Sequence, residues 1–258
     1  MLFLRSFLPP LITFLILLFL WDYAAQAAGQ SYLLPRPHDV LIALIDGYIT
    51  YGTLWEHFMV TTTQTLLGFA LGCGIAVVVG SFVAEFSLVD RMIYPFVIAL
   101  QSMPKVAFAP LLIVWFGFGM SSKVVLVALI CFFPMFVNTV VGLRGAPVEL
   151  LDLYKAFSAS RLRSFIEIKV PSALPSFFAG LQISIVFALL GSVVGEFVAS
   201  QKGLGSVIQA ASVSFKLPIV FACIISLSVL GAAMTLSLRA VQRRIVFWQG
   251  EARSGEQA

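Results

Sequence analysis

Residues 152–175 read DLYKAFSASRLRSFIEIKVPSALP, a polar island between two long apolar segments. The island carries Lys155, Arg161, Arg163 and Lys169, and it closes on Pro171 and Pro175. On either side the chain is apolar enough to sit in lipid. A basic loop of this size between late membrane spans presents a surface to a partner in the cytoplasm.

Composition agrees with a membrane setting. Of 258 residues, 60% are hydrophobic and 11% charged, where a soluble domain carries about 25% charged residues. A soluble fold this small has too little interior to hide so much apolar surface. A span needs about 20 mainly apolar residues, and six stretches qualify, roughly 7–27, 58–84, 92–116, 122–143, 176–198 and 219–240. No internal repeat is visible. The expectation is an all-α, polytopic fold of six transmembrane helices, forming one transmembrane domain over residues 1–258.

The first stretch has a second interpretation. Arg5, an apolar run and Ala25-Gln26-Ala27 resemble a signal peptide with its cleavage site, but the run exceeds the usual 7–15 residues. An uncleaved first helix is therefore expected. Pro104 and Pro110 are expected to interrupt the third span and Pro134 the fourth. Such breaks serve either as packing kinks or as lining of a water-filled path. Gly68-xxx-Gly72 and Gly191-xxx-Gly195 would let helices approach closely.

Basic residues set the orientation, because cytoplasmic loops carry an excess of Lys and Arg. With the N-terminus inside, the cytoplasmic side holds Arg5, Arg91, Arg144, Lys155, Arg161, Arg163, Lys169, Arg239, Arg243, Arg244 and Arg253. The outside holds Arg36, Lys123, Lys202 and Lys216. Both termini are then cytoplasmic, in a bacterial inner (plasma) membrane. The net charge of +4 is explained by this bias, and nucleic acid is not expected as a partner.

Several chemistries lack their residues. There is no G-x-x-x-x-G-K-[ST] phosphate loop, so the chain should not hydrolyse ATP. Trp55-Glu56-His57 lacks the second histidine of a zinc-protease motif. Cys73, Cys131 and Cys223 are isolated in apolar runs and read as packing residues, with neither metal nor disulfide expected. Gly203-Leu204-Gly205 reads as a turn. No catalytic residue is expected.

Within the polar island, Leu150, Leu151, Tyr154 and Phe157 recur at helical spacing. Ser158-Ala159-Ser160 reads as a turn, with Ser160 able to cap a second helix through Leu162, Phe165, Ile166 and Lys169. Pro171 should end that helix. An exposed amphipathic helix here suits docking into a groove on another protein, or lying on the bilayer.

The same residues resemble the signature loop of ABC-importer permeases that work with a substrate-binding protein. That pattern is Glu-Ala-Ala, three residues, Gly, nine residues, Ile, one residue, Leu-Pro. Ile168, Val170 and Pro171 fall in register; Ser158 takes the glycine position and Asp152-Leu153-Tyr154 the Glu-Ala-Ala. LPRP at 34–37, PLLIVWFGFG at 110–119 and GEFVASQKGLG at 195–205 agree as well. Over about residues 30–248 the chain is similar to the nitrate/sulfonate/taurine branch, which also contains importers of pyrimidine thiamine precursors.

The resemblance implies a type I ABC importer (MetI-like) permease fold. It implies two copies of the permease, two cytoplasmic ATPase subunits that bind the ATP and magnesium, and an extracytoplasmic substrate-binding protein. The coupling element would be the loop of about residues 149–170, with Asp152, Leu153, Tyr154, Ala156, Phe157, Ser158, Ala159 and Ser160 at the contact. No cofactor is expected in this chain itself. The solute would be a nitrate-, sulfonate- or taurine-type anion or a pyrimidine thiamine precursor.

Polar residues inside spans are candidates for the path: Gln101, Ser102 and Lys105 in the third and Glu196 in the fifth, with Gln182, Ser184 and Ser192 of the fifth as weaker ones. Lys105 near mid-span either faces the path or snorkels to the cytoplasmic surface. Glu196 either lines the path or is solvated at an outer gate. Two other classes remain open: an ion-coupled secondary transporter, which would need ion-coupling groups at mid-membrane, and a membrane scaffold without transport.

Overall fold

The computed structural model describes residues 2–27 and 34–248, without the side chains of residues 2–7 and 199. Arg5 (as a side chain) and Arg253 therefore lie outside the described residues. Every regular element among the described residues is helical. In chain order they are α1 (Leu2–Ala27), α2 (Pro37–Ile45), α3 (Thr53–Glu85), α4 (Ser87–Gln101), α5 (Ala109–Phe116), α6 (Met120–Arg144), α7 (Val148–Ala156), α8 (Arg161–Ser164), α9 (Val170–Ala199), α10 (Leu204–Val213) and α11 (Leu217–Ile245). Five stretches are long and apolar enough to cross a membrane, and α4 with residues 105–116 makes a sixth if that bent pair is one span.

The third span is interrupted, as expected from Pro104. It is two helices bent by 91° at the break between Gln101 and Lys105. Pro104 begins the turn in an extended conformation. Lacking an N–H, it cannot extend α4. Pro110 sits in the first turn of α5, where a missing N–H costs nothing. The fourth span contradicts its expected interruption, since α6 runs unbroken through Pro134. The Pro134 carbonyl receives the Asn138 side-chain amide at 2.8 Å.

The fifth span is longer than expected. Ser160 does cap α8, its Oγ accepting from the Arg163 N–H at 3.3 Å. The helix does not stop at Pro171, however. A π-turn over Phe165–Lys169 widens the helix immediately before Val170. Pro171 then falls in the first turn of α9, where its absent donor is harmless. Residues 161–198 thus form a single span.

The chain divides into two compact units. One comprises residues 1–61 and 201–228. Its core gathers Leu54, Leu204, Ile208, Ala211, Val220 and Cys223. Trp21 of α1 stacks on Phe221 with ring centres 5.6 Å apart and donates to the Pro35 carbonyl at 3.0 Å. The Gly203–Gly205 turn opens α10, whose first amides are capped by α3. Gly203 N–H donates to His57 Nδ1 at 3.0 Å and Leu204 N–H to Thr61 Oγ1 at 2.8 Å. Gly203 has a φ of 116°, a conformation glycine alone enters freely.

The other unit comprises residues 62–200 and 229–258. Its centre is α6, which carries more buried residues than any other helix, Leu126, Cys131, Phe136 and Val140 among them. Both glycine motifs seat their helices on it. A Cβ at Gly72 would lie 2.3 Å from the Ala128 carbonyl oxygen, and one at Gly195 would lie 3.1 Å from the Lys123 side chain. Ser184 Oγ donates to the Cys131 carbonyl at 3.1 Å, and Cys131 Sγ donates back to the Ser184 carbonyl at 3.3 Å. That exchange binds α9 to α6. Cys73, Cys131 and Cys223 are buried thiols, in keeping with a packing role. Outward faces stay apolar, as at Phe19, Val186 and Val229, which suits lipid contact.

Candidate functional site

The 149–170 segment is an exposed helix, a turn and the root of the long α9 span. Leu150, Leu153 and Phe157 are exposed, Phe157 at 79%, while Leu151 and Tyr154 are half-buried. The apolar stripe is thus split, one part packing inward and one left open. Asp152, Ala156, Ser158 and Ser160 are exposed and Ala159 half-buried. The turn hinges on Ser158, whose φ of 54° is left-handed. Serine therefore takes the backbone conformation that glycine adopts at no steric cost.

Two polar contacts fix the loop's shape. The Tyr154 hydroxyl donates to Glu167 Oε2 at 2.9 Å, and Glu167 also accepts from Arg163 Nε at 3.0 Å. The Glu167 carboxylate holds the Tyr154 phenol above its usual pKa, chiefly because the hydrogen bond it accepts favours the protonated phenol. The phenol therefore remains a donor throughout the physiological range. Farther along, Lys169 Nζ lies 2.5 Å from Glu85 Oε1, with both side chains largely covered. Lys155 pairs with Asp152 at 2.8 Å in full exposure, a contact of small energetic value.

The sequence candidates for the path separate into three places. Lys105 lies at the helix break rather than mid-span. It donates to the Gln101 carbonyl at 2.7 Å and sits 4.5 Å from the centre of the Phe133 ring, a cation–π contact. Gln101 and Ser102 are exposed beside it. Ser192 and Glu196 lie instead in a buried polar cluster of α3, α6 and α9. Glu196 is 0% exposed, which removes the solvated-gate alternative. Its carboxylate accepts from Gln64 Nε2, which also reaches Ser192 Oγ at 2.8 Å. Lys123 is buried nearby, donating to the Phe118 carbonyl at 2.6 Å. Gln182 is elsewhere on α9 and pairs with Gln242 of α11.

Gln64 was missed from sequence. The polar run Thr61 to Thr65 inside a long apolar helix was the available signal. Lys123 was read as an outside charge only, because its neighbour Glu196 is distant in sequence.

Long apolar helices, with a bent span and an exposed helical loop between late spans, define the class as a multi-pass membrane protein. More specifically, residues 72–247 match the model of the binding-protein-dependent transport system inner membrane component, and the chain belongs to that family. It is the permease of a binding-protein-dependent ABC importer. It is 32% identical to the formylaminopyrimidine transport permease protein ThiX of Halalkalibacterium halodurans, over 94% of this chain and 96% of that one. It is 34% identical to the riboflavin transport system permease protein RibX of Chloroflexus aurantiacus, over 92% and 89%. Among solved structures, a chain of the inward-facing MetNI methionine ABC transporter superposes with a TM-score of 0.67 at 16% identity, covering 76% of this chain and 98% of that one. That likeness concerns the fold. The expected type I importer fold is therefore borne out.

Proposed function

We propose that two copies of this chain, each a single permease domain over residues 1–258, form the pathway of an importer driven by two separate cytoplasmic ATPase subunits. ATP and magnesium bind to those subunits, and an extracytoplasmic binding protein delivers the solute. Both termini are cytoplasmic. The observation that carries this reading is the exposed 149–170 loop, braced by Tyr154–Glu167 and tied to α3 by Lys169–Glu85. A lever must be rigid to transmit force and open at its tip to receive it. Asp152, Leu153, Ala156, Phe157 and the Ser158–Ser160 turn form that tip and contact the ATPase.

Lys105, Gln101 and Ser102 line the path, where the 91° bend exposes polar groups. Ser192 and Glu196 hold the wall behind it together, and Gln182 braces α9 against α11. The cargo is a small heteroaromatic solute of the pyrimidine thiamine-precursor type. The similarity to ThiX over nearly the full length of both chains supports that choice over an anion.

Cysteine placement in a chain lacking its native cysteines tests the coupling and orientation. Phe157→Cys should cross-link to the ATPase, while Lys202→Cys should react with an impermeant reagent applied to intact cells. Labelling of position 157 from outside would reject the orientation and the coupling role together.

A further inference from the structure

In the unit built on α6, an open cavity of about 440 Å³ lies where three helix ends meet. α3 ends at Glu85, α4 starts at Ser87 and the 161–198 span starts at Arg161. Three span termini at one place mark the depth of a membrane boundary. Phe82 and Phe86 stack along one wall with ring centres 6.0 Å apart, and Leu162 and Phe165 form the other. These apolar groups are open, Leu162 at 68% exposure.

The charges at the rim are unequally committed. Glu85 is neutralised by Lys169 at 2.5 Å, and Arg163 is held by Glu167 at 3.0 Å. Arg161 is exposed and makes no ion pair among the described residues. The order along both helices is the same. A charged residue stands at the span end, and an aromatic one stands a turn deeper: Glu85 before Phe82, and Arg161 before Phe165. A free cation above an apolar slot is the polarity order of a phospholipid with its signs reversed.

We propose that this cavity binds an anionic phospholipid. Its phosphate sits on the Arg161 guanidinium, which suits bidentate contact, and an acyl chain lies against Phe82, Phe86, Leu162 and Phe165. Basic pockets between spans on the cytoplasmic side favour such headgroups. A lipid there joins the end of α3 to the root of the 149–170 loop, so the acidic-lipid content of the membrane sets how firmly that loop is held. The proposal rests on the orientation proposed above, but it stands or falls apart from the importer mechanism.

The test uses the full chain in mild detergent, titrated with phosphatidylglycerol or phosphatidylcholine and read by native mass spectrometry. Phosphatidylglycerol should bind preferentially. Arg161→Gln should weaken it about fivefold and weaken phosphatidylcholine less, so that the preference shrinks; Arg161→Lys should keep most of the preference, and Leu162→Gln should weaken both lipids. Arg161 and Leu162 are exposed, so these variants should fold. Equal binding of the two lipids, or a preference unchanged in Arg161→Gln, overturns the proposal. A benzophenone side chain at position 162 in cells should yield an adduct of phospholipid mass. An adduct with a second copy or with another protein overturns it too.

Discussion

Lys169 Nζ and Glu85 Oε1 lie 2.5 Å apart across 84 residues of sequence, joining the root of the 149–170 loop to the last turn of α3. The side chains are 22% and 23% exposed, so water screens the pair only partly. Exposed pairs contribute about 0–1 kcal/mol, and breaking a buried pair costs about 3–5. Removing either partner here should cost ~2 kcal/mol. Glu85→Gln or Lys169→Met should lower the thermal stability of the purified chain and reduce ATP-coupled uptake. The Glu85→Lys, Lys169→Glu exchange should recover most of both, and no recovery would show that the pair does not join these elements.

Glycine contacts on α6 give a second prediction. A Cβ at Gly72 would meet Ala128 backbone atoms from 2.3 Å, and backbone cannot move aside as a flexible side chain can. Gly72→Ala should cost ~1–3 kcal/mol through overpacking. Gly74, two residues along the same helix, has nothing within 4 Å of an added Cβ. Gly74→Ala should be neutral or gain up to ~1 kcal/mol from helix propensity. Melting temperatures in detergent separate the two, and equal effects would reject the α3–α6 contact.

A third prediction concerns Glu196. Its carboxylate is fully buried and receives Gln64. Glu196→Ala leaves the Gln64 amide short of an acceptor and should cost ~1–3 kcal/mol. Glu196→Gln retains an acceptor oxygen and should cost less. Protease resistance and melting of the purified chain measure both. If Glu196→Ala melts like the parent, the cluster is not structural.

The spans and the loop were legible because lipid demands long apolar helices and the 149–170 pattern has fixed spacing. The proline effects were less legible. Pro104 broke its span, while Pro134 and Pro171 did not. The difference lies in tertiary context: Pro171 follows a π-turn that relieves the missing bond, and no local rule announces that turn. Ser158 shows the same limit, since its glycine position kept the left-handed backbone after the glycine was replaced. Glu196 was recognisable as an intramembrane acid. Its partner Gln64 is 132 residues away, a pairing set by α3 and α9 packing that spacing cannot reveal.

The central claim is that ATP hydrolysis on separate subunits, received by this loop, drives uptake. Proteoliposomes containing the permease with its ATPase, loaded with ATP and magnesium, should accumulate solute presented by the binding protein. Asp152→Lys and Phe157→Ala should abolish that uptake while leaving the chain inserted. Vesicles containing this chain alone should accumulate none under any ion gradient. Gradient-driven uptake by the chain alone, unaffected by Asp152→Lys, would contradict the account.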